Sequence, residues 1–162
     1  MERHMRKTLP RSEDIYTSDV FEILFGYEVT RSKRYPSPLA LLHIEMDPIA
    51  LNVDLLAAAP AVFAAALNSH LRSVDIPSTY GKSFRVLLPS SNEHGARAVC
   101  ERLLSVYRNK FDVPNGSIAF SLHIGVTAHN GGPEMSAEEI LQKAEEALKQ
   151  SRLKGPNTYV ML

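Results

Sequence analysis

The sequence predicts an α+β domain built on a βαββαβ unit, which folds as a palm-like, ferredoxin-like antiparallel sheet with helices against one face. Three observations carry this. The run "LALLHIEM" (39–46) is almost continuously apolar, as a central strand is. The stretch "DIPSTYGKSFRVLLP" (75–89) alternates into a Gly-containing tip and leaves as a half-buried strand, which is the shape of a hairpin. Around these two lie segments whose apolar residues recur at helical spacing.

Each element follows in order. After a basic and polar leader, "DVFEILFGYEVTRSKRY" places Phe21, Leu24, Phe25 and Val29 on one helical face, and Pro36 and Pro38 stop it. The central strand comes next. Val53 to about Leu71 is an Ala-rich helix with Phe63, Leu67 and Leu71 as its stripe, and Pro60 is expected in its first turn or at a break. The hairpin follows, then a helix for which Ser90 and Glu93 form a capping-box pattern and Val99, Leu103, Val106 and Tyr107 form the buried face. "SIAFSLHIGVTA" reads as a strand. Ser136 and Glu139 open the best-marked helix, whose stripe is Ile140, Ala144, Ala147 and Leu148, with Gly155 at its C-terminal cap. "TYVML" closes the chain as a short strand.

With 162 residues, 44% of them apolar and 22% charged, the chain is expected to form one domain with a full core. Lys plus Arg and Asp plus Glu number 18 each, so no overall field draws it to DNA, RNA or an anionic membrane. The longest apolar run is broken by Pro60 and falls short of the roughly 20 residues that cross a bilayer. A single Cys100 and the lack of an apolar leader block point to the cytoplasm.

Four stretches, "RYPSPLALLHIEMD", "RSVDIPSTYGKSFRVLLP", "FSLHIGVTA" and "AEEALKQSRLKGPNTYV", resemble the successive blocks of the bacterial GGDEF domain of diguanylate cyclases, from about Asp19 to Val160. The resemblance implies residues 1–18 as a flexible arm and 19–162 as a degenerate GGDEF-like domain with the GGDEF architecture. It also implies an ancestry in joining two GTP molecules into cyclic di-GMP with two metal ions.

That chemistry needs carboxylates, because metal ions neutralise the charge that develops in phosphoryl transfer. The family's first metal-binding Asp corresponds to Glu45, a weak candidate ligand. The signature hairpin corresponds to Tyr80, Gly81, Lys82, Ser83 and Phe84, one residue short and without an acid. The guanine-reading Asn falls on Val53, and its Asp partner on Val62 or Ala57. The phosphate-binding Lys corresponds to Arg152, with Lys154 nearby, while the following Arg falls on Pro156; "EDIYTSDV" replaces the family's entry motif. The expectation is therefore no cyclase activity, no catalytic residues and no cofactor.

One feature does match. Arg72 and Asp75 form the RxxD motif that the family uses to bind its product, and an Arg–Asp pair can read guanine. The same pair is also an ordinary i, i+3 ion pair. Two functions remain open: a cyclic di-GMP receptor using Arg72 and Asp75, or an interaction or dimerisation module that binds no nucleotide. Either implies a protein partner or a neighbouring domain in signalling. His43, Glu45 and His123 lie on adjacent strands and form a Zn²⁺ candidate, although hydrogen-bonded sheet histidines are commoner. Cys100 reads as a packing residue.

Overall fold

The computed structural model describes residues 11–12 and 15–162. In chain order the elements are β1 (Arg11–Ser12), β2 (Ile15–Tyr16), α1 (Ser18–Arg34), β3 (Leu39–Ile49), α2 (Val53–Ser69), β4 (Ile76–Tyr80) and β5 (Ser83–Pro89). They continue as α3 (Glu93–Tyr107), β6 (Phe111–Val113), β7 (Gly116–His129), α4 (Ala137–Lys154) and β8 (Thr158–Met161). The sheet runs β1-β2-β4-β5-β3-β7-β6, with β8 also on β7.

The apolar run of β3 is explained by its place between β5 and β7. Its residues Leu39 to Ile44 pair antiparallel with Pro89 to Phe84, and Leu39 to Ile49 pair antiparallel with His129 to Ala119. Both faces of β3 are covered. Ala40, Leu42 and Ile44 point into a core closed by α2 and α3, whereas Leu39 and Leu41 point into a second core closed by α1 and α4. Helices therefore lie on both faces, and the expectation of one covered face holds only for the two helices inside the βαββαβ unit. The sheet is not wholly antiparallel either, because β2 joins β4 and β8 joins β7 in parallel.

The first core is organised around Phe63. Its ring stacks on Tyr107 with centroids 4.4 Å apart and meets Phe84 at 4.6 Å and Phe120 at 5.5 Å. The Tyr107 hydroxyl donates to the Phe63 carbonyl at 2.6 Å, so this buried phenol is satisfied.

Four local details depart from the sequence expectations. Pro60 sits in mid-helix, neither in the first turn nor at a break; it is exposed, and the Leu56 carbonyl that it leaves without a helical donor lies on a residue that is itself exposed. Asn92, not Ser90, caps α3, accepting from the Gly95 N–H at 2.9 Å. Ser90 instead takes a left-handed φ of +56° in the turn after β5. The short β6, absent from the expected order, pairs with the start of β7 around a Pro114–Asn115 turn.

The fourth departure is the arm. Ile15 and Tyr16 are fully buried, and Tyr16 pairs with Ser78, so the folded domain begins by residue 15 rather than 19. Residues 1–10 and 13–14 of the expected arm lie outside the described residues.

Gly125 sets how closely α4 lies on the sheet. A Cβ there would come 2.1 Å from the Leu148 backbone nitrogen and 2.3 Å from the Ala144 carbonyl oxygen. Only the absence of a side chain lets the two backbones meet, and that contact places the last turn of α4 beside the end of β3. On the same face His43 is almost fully buried, with Nε2 3.0 Å from Ser83 Oγ. Burial above all, and then the Arg85 charge, push its pKa down to about 4.

Gly125→Ala should lower the unfolding free energy by about 2–3 kcal/mol in urea denaturation, whereas Gly26→Ala, at a helical site with open space, should raise it by a few tenths to about 1 kcal/mol. His43 favours the neutral form in the folded state, so its contribution is complete above pH 6.5 and is lost as pH falls through about 4. Stability should drop on the order of 2 kcal/mol across that window, and His43→Gln should flatten this part of the pH profile.

Candidate functional site

The hairpin β4–β5 closes with Tyr80 opposite Ser83 around a two-residue turn, Gly81–Lys82. Gly81 has φ +59°, which suits the first central position of a type II′ turn. Ser83 Oγ donates to the Tyr80 carbonyl at 2.8 Å and lies against His43 Nε2, so the tip is tied down through its own side chains. Phe84 points into the first core. Tyr80 is the platform for Arg85, whose guanidinium carbon lies 3.4 Å from the ring centroid, and Arg85 also pairs with Glu22 of α1 at 3.5 Å. Sequence reasoning missed this cluster. The alternation of β5 held the signal, since a charged residue there falls on the inward face opposite His43.

Glu45 and Arg152 are brought together by the close seat of α4 on β7. Arg152 Nε and Nη2 donate to the two carboxylate oxygens of Glu45 at 2.6 and 2.5 Å. This two-point pair is the strongest geometry a guanidinium and a carboxylate can adopt. Hydrogen bonds from Arg152 hold the Glu45 carboxyl below its ordinary range, and Glu45 raises Arg152 in turn. A carboxylate so occupied has little left for a cation.

His123 lies directly across from Glu45 on β7, with a buried Nδ1 that has no hydrogen-bond partner among the described residues, while His43 is two residues earlier on β3 and is engaged by Ser83. Among the described residues no three His, Cys, Asp or Glu side chains converge as a metal site, so the expected Zn²⁺ candidate does not assemble. Lys154 lies apart from Arg152. It lines a cleft of about 510 Å³ with Arg97, Gln150 and Tyr159.

Arg72 and Asp75 meet. Arg72 Nη2 donates to Asp75 Oδ1 at 2.8 Å and Nε to the same oxygen at 3.2 Å, while the Arg72 backbone N–H donates to Oδ2 at 2.8 Å. Nη2 also reaches the Pro89 carbonyl at 2.8 Å and Ser91 Oγ at 2.9 Å. The Asp75 side chain is 0% exposed and that of Arg72 49% exposed. The pair thus ties the end of α2 to the end of β5, and the carboxylate faces protein. Pro89 and Ser91 in this web gave no sequence signal, because they are 17 and 19 residues from Arg72 and meet it only through the sheet.

Val53, the position matched to base reading, is 78% exposed. Leu51 (97%), just before α2, and Leu56 (40%), one turn along it, are exposed as well, while Ile49 (63%) is exposed on the other side of β3. Ala57 is exposed beside it, whereas Val62 packs partly against the first core. Cys100 is buried in that core and its thiol is pushed up to about 12 by burial, in keeping with a packing role. No helix among the described residues is long and apolar enough to cross a membrane.

The sequence matches the family model described as "Diguanylate cyclase, GGDEF domain" over residues 61–158. It is 31% identical over 102 residues to the response regulator PleD of Caulobacter vibrioides, a match that covers 60% of this chain and 22% of PleD. Diguanylate cyclase A of Treponema denticola is also 31% identical, over 100 residues, covering 60% of this chain and 27% of that protein. The chain therefore spans about a quarter of the curated relatives it matches. Among solved structures, the diguanylate cyclase SiaD of Pseudomonas aeruginosa, in complex with its activator SiaC, superposes with a TM-score of 0.77 at 20% identity, covering 94% of this chain and 61% of that one. The coiled coil and GGDEF domain of DgcB from Caulobacter crescentus, in complex with c-di-GMP, gives a TM-score of 0.77 at 13% identity, covering 99% of this chain and 89% of that one. At such identities these two show the fold, and the family match over more than half of the residues shows the membership: this chain belongs to the GGDEF domain family.

Proposed function

We propose that this GGDEF domain makes no cyclic di-GMP and acts as a regulatory protein-interaction module. The observation that carries the reading is the exposure of Leu51, Val53 and Leu56 at the start of α2, where the family resemblance places base recognition at Val53. A hydrophobic surface of this kind gains by excluding water against another protein and offers no hydrogen bond to a purine edge. SiaD, a protein of the same fold, is found in complex with its activator SiaC, which agrees with such a use.

Two further features support the lack of turnover. The tip residues Gly81 and Lys82 supply no carboxylate, and Lys82 brings a positive charge to the position of a metal anchor. Glu45, the remaining candidate ligand, is occupied by Arg152. The same pair removes Arg152 as a free phosphate contact. The single Cys100, buried and unreactive, agrees with a reducing cytoplasmic setting.

Cyclic di-GMP reception through both Arg72 and Asp75 would require this half-buried ion pair to open and the buried Asp75 carboxylate to turn toward solvent. Leaving the buried Asp75 carboxylate without its donors is costly, so the closed web favours a role in stability.

Incubation with GTP and Mg²⁺ or Mn²⁺ should yield no cyclic di-GMP above a no-protein control by chromatography; time-dependent product would refute the reading. Restoring Gly-Gly-Asp-Glu-Phe at the tip should not yield turnover, because Val53 and the occupied Glu45 remain. Millimolar cyclic di-GMP should leave the melting temperature unchanged. A ligand at a hundred times its dissociation constant adds about 2.7 kcal/mol, so a clear rise that Arg72→Ala abolishes would restore the receptor instead. Without ligand, Arg72→Ala should cost about 1–2 kcal/mol of stability through the lost web.

A further inference from the structure

Strand β8 lies at an edge of the sheet. Among the described residues it pairs with β7 alone, in parallel, with Thr158 opposite His123 and Met161 opposite Val126. A strand paired on one side turns every second N–H and C=O away from its neighbour, so this edge can template a further strand. The residues of β8, Thr158 to Met161, are all half-buried and none is charged.

The helices on the two faces of the sheet make this edge the floor of a groove. Tyr159 and Met161 pack toward the first core, on the side of α3, while the Thr158 hydroxyl lies 3.0 Å from Ser151 Oγ of α4 on the other side. A cleft of about 510 Å³ is lined by Tyr159, Val160 and Met161 of β8, by Arg97 of α3 and by Gln150 and Lys154 of α4. Each wall thus brings a cation, and no acidic side chain lines the cleft. Of the carboxylates nearest to it on α3, Glu101 accepts from the Tyr159 hydroxyl at 3.2 Å and Glu93 pairs with Arg97 at 3.1 Å, a solvent-exposed pair that a ligand can replace. Lys154 makes no ion pair among the described residues.

We infer that this groove binds an extended segment of a partner protein, added as a strand to β8 and carrying both apolar and acidic side chains. Backbone hydrogen bonds to β8 would give affinity, Val160 and Met161 would cover the apolar side chains, and Arg97 and Lys154 would select the acidic ones. Cations at a sheet edge commonly guard against unwanted pairing, but such guards sit on the strand itself. Here the strand is uncharged and the cations stand on the flanking helices. Pairing with the β8 of a second copy would set Arg97 and Lys154 against their own kind, and a basic segment would meet the same repulsion. The inference names a partner chemistry for the interaction-module reading and rests on that reading for its use, although none of the groove's residues belongs to the start of α2.

The test is titration of acetyl-Thr-Val-Glu-Glu-Val-Thr-amide into the ¹⁵N-labelled chain, followed by amide NMR shifts; its adjacent Glu residues fall on opposite faces of a strand. A short edge makes few hydrogen bonds, so a Kd of about 10–100 µM is expected, with saturable shifts at Tyr159, Val160 and Met161. The same peptide with Lys in place of Glu should bind at least tenfold more weakly. So should the original peptide to Arg97→Glu with Lys154→Glu; both sites are exposed, so folding should survive, as circular dichroism would verify. Methylating the backbone nitrogens of alternate residues blocks one edge of the peptide, and of the two peptides so made one should lose binding and the other keep it. Shifts at β8 that do not saturate by about 1 mM, equal binding of the Lys peptide, or binding that both methylated peptides retain would each overturn the inference. Failure of the peptide in a chain that makes no cyclic di-GMP would remove only the β8 site, whereas cyclic di-GMP synthesis would remove the module reading itself.

Discussion

Glu45 and Arg152 are 107 residues apart in sequence and share two hydrogen bonds. Their meeting requires β3 to run past the end of β5 so that its tail is open, and α4 to lie on the sheet at backbone distance. Gly125 provides the second condition. Once formed, the pair holds the Glu45 carboxyl below its ordinary range and raises Arg152. It satisfies the Glu45 carboxylate and the Arg152 guanidinium with each other.

What remains at that end is apolar and weakly acidic. The hairpin tip is pinned by Ser83 and His43, and its one outward charge is Lys82. The adjoining start of α2 exposes Leu51, Val53 and Leu56. Charge is unevenly spread along the chain, since residues 45–71 hold Glu45, Asp47 and Asp54 and no Lys or Arg within a sequence whose net charge is zero. Neutral totals conceal this, because steering and specificity depend on where the charges sit.

Much of the fold was legible because its signals are local. The continuous apolar run of β3, the Gly81 tip, the Ser136 cap and the Gly155 stop each declare an element through nearby residues. The second covered face was less visible, since it depends on where α1 and α4 return in space. The cap of α3 was misplaced by two residues because Ser90 and Glu93 imitate a capping box while Asn92 does the work. Pro60 misled by its usual meaning; a proline on the wet side of a helix can be carried through. At the site, residue types alone marked the absence of acids at the tip. They could not show that Glu45 is taken by Arg152, or that Arg72 reaches Pro89 and Ser91, because these contacts are made by the packing of distant elements.

The account turns on Glu45 being occupied, and Mn²⁺ titration followed by paramagnetic broadening of backbone amide signals reads this directly. The occupied pair predicts no saturable, localised broadening around Glu45 and Asp47 at Mn²⁺ concentrations up to about 1 mM, a range in which built carboxylate sites fill. Saturable broadening centred on Glu45, with loss of the Arg152 side-chain signal of the paired state, would show that the carboxylate is open to a metal and would contradict the account.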